Sequence, residues 1–253
     1  MKVRLDRLIQ QRGLAPSRER AQALVLAGRV LVNDQKVEKS GTSVDEEAVL
    51  RVLGEDMPYV SRGGLKLQRA MDHWQIDVRE KVCMDVGTST GGFTDCLLQH
   101  GVAQVIAVDT GYGQIDPKLR DDPRVRLLEK TNARYLMADQ IWPDATSRRP
   151  ISLVAMDVSF ISATLVLPAV VQSIREGDSH AFEIVVLVKP QFEVGRELVG
   201  KGGIVRDAVA HQAAVQRVSG AIAQLGGTGI EVIESPILGT EGNREFLLHA
   251  AFR

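Results

Sequence analysis

Cysteine is nearly absent from this chain of 253 residues, which carries only Cys83 and Cys96. Neither belongs to a C-x-x-C pair, so neither a zinc ribbon nor a disulfide framework is expected, and a reducing cytoplasm fits. Aromatic residues are scarce at 4%. Long apolar runs are missing as well. The longest apolar region, residues 151–171, is interrupted by Asp157 and several serines and carries Pro168 near its end, so two short elements around a turn are expected there rather than a membrane span. The segment Met1-Lys2-Val3-Arg4-Leu5-Asp6-Arg7 has no apolar core behind its charges, and a secretory signal is not expected. With 44% apolar and 25% charged residues the composition is that of an ordinary soluble protein, long enough for one sizeable α/β domain and something smaller.

The most informative segment present is Asp85-Val86-Gly87-Thr88-Ser89-Thr90-Gly91-Gly92-Phe93-Thr94-Asp95, which follows apolar Val82-Cys83-Met84 and opens a helix-like stretch. Strand, glycine turn and helix together form a cradle for a nucleotide-like ligand, because glycine lets the backbone approach closely and a helix start offers unpaired N–H groups. The spacing G-x-x-x-G-G is not the dinucleotide fingerprint G-x-G-x-x-G, and no Gly-Lys-Ser/Thr follows as a P-loop would need. An acidic glycine loop without provision for a pyrophosphate points to S-adenosylmethionine, with Asp85, Gly87, Ser89, Gly91, Gly92 and Phe93 as candidate cofactor residues. A second apolar strand, residues 102–108, ends at Asp109, where a carboxylate is placed to accept hydrogen bonds from both hydroxyls of an adenosine ribose.

The net charge of −1 conceals an uneven distribution. Residues 1–40 carry nine Lys and Arg against four acids, a net of +5, whereas residues 41–56 are acidic. Leu5, Leu8 and Ile9 have helical spacing up to Gly13, and Ser17 starts a second helix that runs through Ala21, Leu24 and Val25 to Gly28. Val30-Leu31-Val32, the turn Asn33-Asp34-Gln35 and then Lys36-Val37 read as a hairpin. This module resembles the S4 RNA-binding domain in Arg4-Leu5-Asp6-Arg7-Leu8, Ser17-Arg18-Glu19-Arg20-Ala21 and Gly28-Arg29-Val30-Leu31-Val32-Asn33. The resemblance implies that Arg4, Arg18, Arg20 and Arg29 meet phosphates of folded RNA. No aromatic residue precedes Tyr59, so backbone and shape recognition is expected rather than base stacking.

Beyond Asp109 the alternation continues, with strands at 125–128, 151–156, 183–188, 229–233 and 246–250 and a helix over 207–225. Seven strands interleaved with helices predict an α/β doubly wound, Rossmann-like sheet. Asp157 and Lys189 fall directly after apolar strands, where side chains face the ligand crevice. Methyl transfer from a sulfonium needs an aligned acceptor oxygen and a base for its proton, and a lysine held among carboxylates and a second lysine suits a weakly acidic ribose hydroxyl.

Five stretches then resemble the TlyA family, ribosomal RNA 2′-O-methyltransferases with an FtsJ-like catalytic domain that are often labelled haemolysins. They are Ser61-Arg62-Gly63-Gly64-Leu65-Lys66-Leu67, the loop Asp85 to Asp95, Asp157-Val158-Ser159-Phe160-Ile161-Ser162, Val188-Lys189-Pro190-Gln191-Phe192-Glu193, and Gly242-Asn243-Arg244-Glu245-Phe246-Leu247. The resemblance implies an S4 domain over 1–58 and a methyltransferase domain over 59–253, and S-adenosylmethionine as cofactor with Asp157 also touching it. It implies cytidine ribose in ribosomal RNA, within ribosomal subunits, as substrate. Neither a metal nor a membrane is required. The catalytic set it implies is Lys66 near the acceptor, Asp157 between lysine and methyl, Lys189 as base and Glu245 holding the geometry. Lys201-Gly202-Gly203 is a candidate lid or RNA contact, and residues 53–60 a candidate linker. The competing classes are a membrane-active haemolysin, a non-catalytic RNA-binding assembly factor and a small-molecule O-methyltransferase. The first lacks an uninterrupted span of roughly 18 apolar residues, and the last finds no use for the basic module.

Overall fold

The computed structural model describes residues 2–53, 57–143, 149–177 and 180–253, and the chain forms two compact units, Met1–Met57 and Pro58–Arg253. In the first unit, β1 (Lys2–Arg4) runs into α1 (Leu5–Gln11), followed by α2 (Arg18–Leu26), β2 (Val30–Val32), β3 (Gln35–Lys36), β4 (Ser43–Asp45) and β5 (Leu50–Val52). Leu5, Leu8 and Ile9 of α1 close a core against Ala21, Leu24 and Val25 of α2 and Val30 of β2, all buried. Ser17 caps α2 by accepting a hydrogen bond from the Arg20 N–H at 3.2 Å. The expected three-residue hairpin turn is tighter. Asn33 and Asp34 alone form it, at φ 50° and 61°, and Gln35 already pairs with Val32. Short polar side chains tolerate that left-handed backbone, which matches the twist of a two-residue hairpin. The short strands β1, β4 and β5 have no period of their own in the sequence; β1 pairs with β4, and β5 with β2.

The second unit contains α3 (Gly63–Trp74), β6 (Val82–Val86), α4 (Gly92–Gln99), β7 (Gln104–Val108), α5 (Pro117–Arg120), β8 (Val125–Leu128), α6 (Ala138–Ile141), β9 (Ile151–Met156), α7 (Ala163–Gly177), β10 (Phe182–Val188), α8 (Pro190–Glu193), α9 (Ala208–Gln224), β11 (Thr228–Glu234) and β12 (Phe246–Phe252). Its seven strands lie in the order β11-β12-β10-β9-β6-β7-β8. The pairs from β10 to β8 are parallel, while β12 enters antiparallel between β10 and β11. Side chains alternate between two cores: Val82, Met84 and Val86 with Ile184, Val186 and Val188 on one face, Cys83 with Val185 and Leu187 on the other. Helices cover both faces, which is why these strands read as continuous apolar runs. Burial pushes both thiols up to about 12, so each behaves as a small apolar side chain.

The apolar region 151–171 divides as expected, into β9 and α7. Pro168 sits inside α7, on its exposed side; packing of Val166, Leu167, Val170 and Val171 outweighs the lost N–H bond. Of the expected linker, residues 54–56 lie outside the described residues. Pro58 and Val60 are fastened to α4, through Pro58 O to Gln99 Nε2 at 2.9 Å and the Val60 N–H to Asp95 Oδ2 at 2.7 Å.

Candidate active site

Register brings the strand-end residues together. Val86 pairs with Val108 on one side and Met156 on the other, so Gly87, Asp109 and Asp157 leave the sheet side by side. Val188 lies opposite Phe246, which sets Lys189 next to Glu245. The chain passes from β6 to β7 and β8 in one direction and then to β9 and β10 in the other, so the crevice opens at a reversal of strand order, where such sheets bind ligands.

Two adjoining cavities occupy this crevice, of about 470 and 520 Å³, and they share Gly87, Ser89, Asp157 and Ser159. Gly87 stands at φ +90°, and a Cβ there would lie 2.4 Å from the backbone oxygen of Asp157. Only glycine permits that approach. Asp109 receives the Ser89 N–H on Oδ2 at 2.7 Å and the Gly111 N–H on Oδ1 at 2.6 Å, so it splints the glycine loop to the next one. It still lines the second cavity with Thr110, Asn132 and Ile161, and each oxygen keeps a further lone pair for a hydroxyl donor.

Two candidate cofactor residues, Asp85 and Gly91, line neither cavity. Asp85 is fully buried behind the loop; its Oδ2 accepts from the Thr94 N–H at 3.0 Å and Thr94 Oγ1 at 2.6 Å, while Oδ1 has no hydrogen-bond partner among the described residues. Burial, reinforced by Asp157 and Asp109 and opposed by Thr94, pushes its carboxyl up to about 7. Gly91 caps α4 in the left-handed region at φ +97°, with Leu119 Cδ1 filling the space of a Cβ. Phe93 is buried, though it contributes to the wall of the first cavity.

The four catalytic candidates all line the first cavity. Lys66 on α3 and Glu245 before β12 form a buried ion pair. Lys189 Nζ lies 2.6 Å from Asp157 Oδ1, a charge contact off hydrogen-bond alignment, and its directed hydrogen bond goes to Ser159 Oγ at 2.6 Å. Glu193, which sequence reasoning passed over, ties the two strand-end loops together. Its Oε2 accepts from Ser162 Oγ at 2.5 Å and its Oε1 from the Ala163 N–H at 2.7 Å, capping α7, and burial pushes its carboxyl up. Ser159, Ser162 and Glu193 are all inside the quoted motifs, so position in a motif was the signal that could have found them.

The buried side chain of Asn243 bridges the glycine segment to the turn before β12, through Nδ2 to Gly203 O at 2.8 Å and the Val205 N–H to Oδ1 at 2.9 Å. Lys201-Gly202-Gly203 is an exposed turn with both glycines at positive φ. Phe160 stands at φ +63°, 93% exposed, with its ring 5.4 Å from that of Phe192 at the rim of the second cavity. A bulky residue held there is strained.

In the first unit the four arginines do not form one solvated face. Arg4 and Arg18 converge on buried Asp6, and Arg29 Nε donates to Leu53 O at 2.7 Å.

Sheet order, glycine loop and strand-end acids together define the S-adenosylmethionine-dependent methyltransferase fold, here following an S4 domain. Residues 59–252 match the FtsJ-like methyltransferase family and residues 3–50 the S4 domain. The chain belongs to the FtsJ-like methyltransferase family. It is 45% identical over 248 residues to the Bacillus subtilis protein named "Putative rRNA methyltransferase YqxC", covering 98% of this chain and 85% of that one. It is 42% identical, over 98% of this chain and 89% of the relative, to the 16S/23S rRNA (cytidine-2′-O)-methyltransferase TlyA of Mycobacterium tuberculosis. A solved "Putative hemolysin" from Streptococcus thermophilus superimposes with a TM-score of 0.74 at 40% identity, covering 99% of this chain and 88% of that one. Among the described residues no helix is long and apolar enough to cross a membrane, and no group of three or more His, Cys, Asp or Glu side chains is arranged to hold a metal.

Proposed function

We propose that this protein is an S-adenosylmethionine-dependent 2′-O-methyltransferase acting in the cytoplasm on cytidine ribose in ribosomal RNA. The carrying observation is that two lysine–carboxylate pairs, Lys66–Glu245 and Lys189–Asp157, line one cavity that opens into a second ending at Asp109. The residues fit the cofactor: Gly87 and Ser89 line both cavities, Asp109 retains acceptor capacity toward a ribose, and Asp157 and Ser159 stand where the two cavities meet. When bound, S-adenosylmethionine supplies a methyl group activated by its sulfonium charge.

This chain's residues supply alignment and proton removal. Lys189 Nζ, aimed by Ser159 and Asp157, is the acceptor for the hydroxyl proton. Lys66, fixed by Glu245, holds the acceptor oxygen and stabilises negative charge as it develops. The S4 domain and the homologous relatives support RNA as the substrate.

The test is transfer of a labelled methyl group from S-adenosylmethionine to purified ribosomal subunits, wild type beside Lys189→Ala, with ribose methylation mapped. The expected result is incorporation into RNA that falls by about 10²–10⁴-fold in the variant while the cofactor still binds. Incorporation unchanged in the variant overturns the role of Lys189. Cofactor binding by the wild type with no incorporation overturns the enzymatic reading in favour of an RNA-binding assembly factor.

A further inference from the structure

Lys189 and the two side chains that face it sit on different segments of chain. Lys189 begins a helical turn, in which the Phe192 N–H bonds to Lys189 O at 2.9 Å and the Val194 N–H to Pro190 O at 3.0 Å. Asp157 and Ser159 belong to residues 157–162, which leave β9 and end where α7 starts. The flexible four-carbon stem of a lysine cannot by itself hold two segments in register. Glu193, one turn beyond Lys189, supplies a shorter tie. It is 3% exposed, and Arg217 Nη1 on α9 donates to its backbone oxygen at 2.9 Å. Its carboxylate reaches the far end of 157–162, where Ser162 Oγ donates to Oε2 and the Ala163 N–H to Oε1. The Ser162 hydroxyl gives its one proton to Glu193, so the Thr164 hydroxyl at 2.7 Å and the Thr164 N–H at 3.2 Å are the donors that complete it.

The tied segment is strained. Phe160 stands within it at φ +63° and is 93% exposed, so burial of its ring does not offset the backbone cost. Both ends are pinned, the first by the Asp157 N–H to Val86 O at 2.9 Å and the last by Ser162 and Ala163 to Glu193. A conformation of this kind persists only where its surroundings over-determine it. The ring of Phe192, the neighbour of Glu193 in the turn, is the contact on the near side. Freed at Ser162, the segment would relax at Phe160, and Ser159, one residue earlier, would turn away from Lys189 Nζ.

We infer that Glu193 is a positioning residue for Lys189: it holds residues 157–162 in their strained form and so keeps Ser159 and Asp157 where they aim the Lys189 amine. Glu193 itself lines neither cavity. The inference rests on the reading of Lys189 as the base, given above.

The test is methyl transfer to ribosomal subunits by the full chain, at saturating cofactor and over a range of RNA concentrations. Glu193→Ala is expected to lower kcat by about 10²-fold, the effect of misplacing a reacting group by about 1 Å, while the KM for RNA stays near wild type. In Glu193→Gln the amide oxygen still accepts the Ala163 N–H and the amide nitrogen donates to Ser162 Oγ, which turns its proton to Thr164, so most of the rate returns. In a Lys189→Ala background, Glu193→Ala is expected to cost nothing further, because the group that it aims is gone. A residue that only stabilised the fold would lower both backgrounds alike. Ser162→Ala guards against a Glu193→Ala chain that does not fold. It cuts the tie at Oε2 and leaves the Ala163 cap, and its smaller loss of kcat is expected to vanish in the Lys189→Ala background as well.

A folded Glu193→Ala or Ser162→Ala chain with the wild-type kcat, losses that multiply with that of Lys189→Ala, or a Glu193→Gln chain as slow as Glu193→Ala overturns the positioning role and leaves the methyltransferase reading intact. Wild type that binds the cofactor yet transfers no methyl group overturns that reading and the positioning role with it.

Discussion

Breaking the Lys66–Glu245 pair separates its contribution to folding from its contribution to chemistry. Both side chains are almost fully buried, Lys66 at 9% and Glu245 at 3% exposure. Removing one partner leaves the other as an uncompensated buried charge, at a cost of about 3–5 kcal/mol. For a domain of this size each kcal/mol moves the melting temperature by about 2–4 °C, so Lys66→Met or Glu245→Leu alone is expected to lower it by on the order of 10 °C. The double variant Lys66→Met/Glu245→Leu has no buried charge left and similar side-chain volume. Such replacements are commonly neutral or stabilising, by about 1–4 kcal/mol. The double variant is therefore expected to melt near or above wild type while methyl transfer to ribosomal subunits stays lost. Thermal melts followed by circular dichroism, run beside the labelled-methyl assay, read both quantities. A double variant that melts as low as either single one refutes the desolvation argument. A stable double variant that transfers methyl groups at the wild-type rate refutes the catalytic assignment of the pair.

Two further substitutions probe the cofactor side. Gly87→Ala forces a Cβ to 2.4 Å from a backbone oxygen at φ +90°; the left-handed backbone alone costs about 1–2 kcal/mol, and the clash displaces Asp157. Calorimetric titration with S-adenosylmethionine is expected to show at least a tenfold loss of affinity, and an unchanged affinity contradicts the cradle. Asp85→Asn tests the buried carboxyl. In the unfolded chain this group loses its proton near pH 3.9 and in the folded one near 7, so the native state binds more protons between those values and stability falls as pH rises through that window. The loss amounts to about 4 kcal/mol at 1.36 kcal/mol per unit. The variant lacks it, so the urea midpoint of wild type should decline relative to the variant from pH 4 to 7 and run parallel above. A difference independent of pH contradicts the assignment.

The parallel strands were legible because helices on both faces make each one a continuous apolar run, and the charges at their ends stand out against it. Asp157 and Lys189 are recognisable in this way, one residue past Met156 and Val188. Lys66 and Glu245 are not. Their meeting depends on α3 packing near β12 and on the register Val188 with Phe246, and no local pattern encodes either. Asp85 and Asp109 look alike in sequence, each near a strand end, yet one is sealed behind Thr94 and the other borders a cavity; Asp85 lies inside β6, one residue before its end, whereas Asp109 lies one residue past β7. Nothing in the letters Ser159-Phe160-Ile161 announces that Phe160 is turned into the left-handed region and almost wholly exposed, since phenylalanine usually signals core. The net positive charge of residues 1–40 was readable, whereas the tether of Arg4 and Arg18 to Asp6 required three dimensions.

The antiparallel entry of β12 between β10 and β11 also sets a timetable. Lys66 and Glu245 are 179 residues apart in sequence, the kind of separation whose closure comes late in folding. A chain whose helices and parallel strands have already condensed, but whose final strand has not slotted in, holds the glycine loop and the Asp157–Lys189 edge without a counter-charge for Lys66. Under the proposed assignment, the Lys66–Glu245 pair closes only when the last strand enters the sheet, so catalytic competence and completion of the sheet coincide.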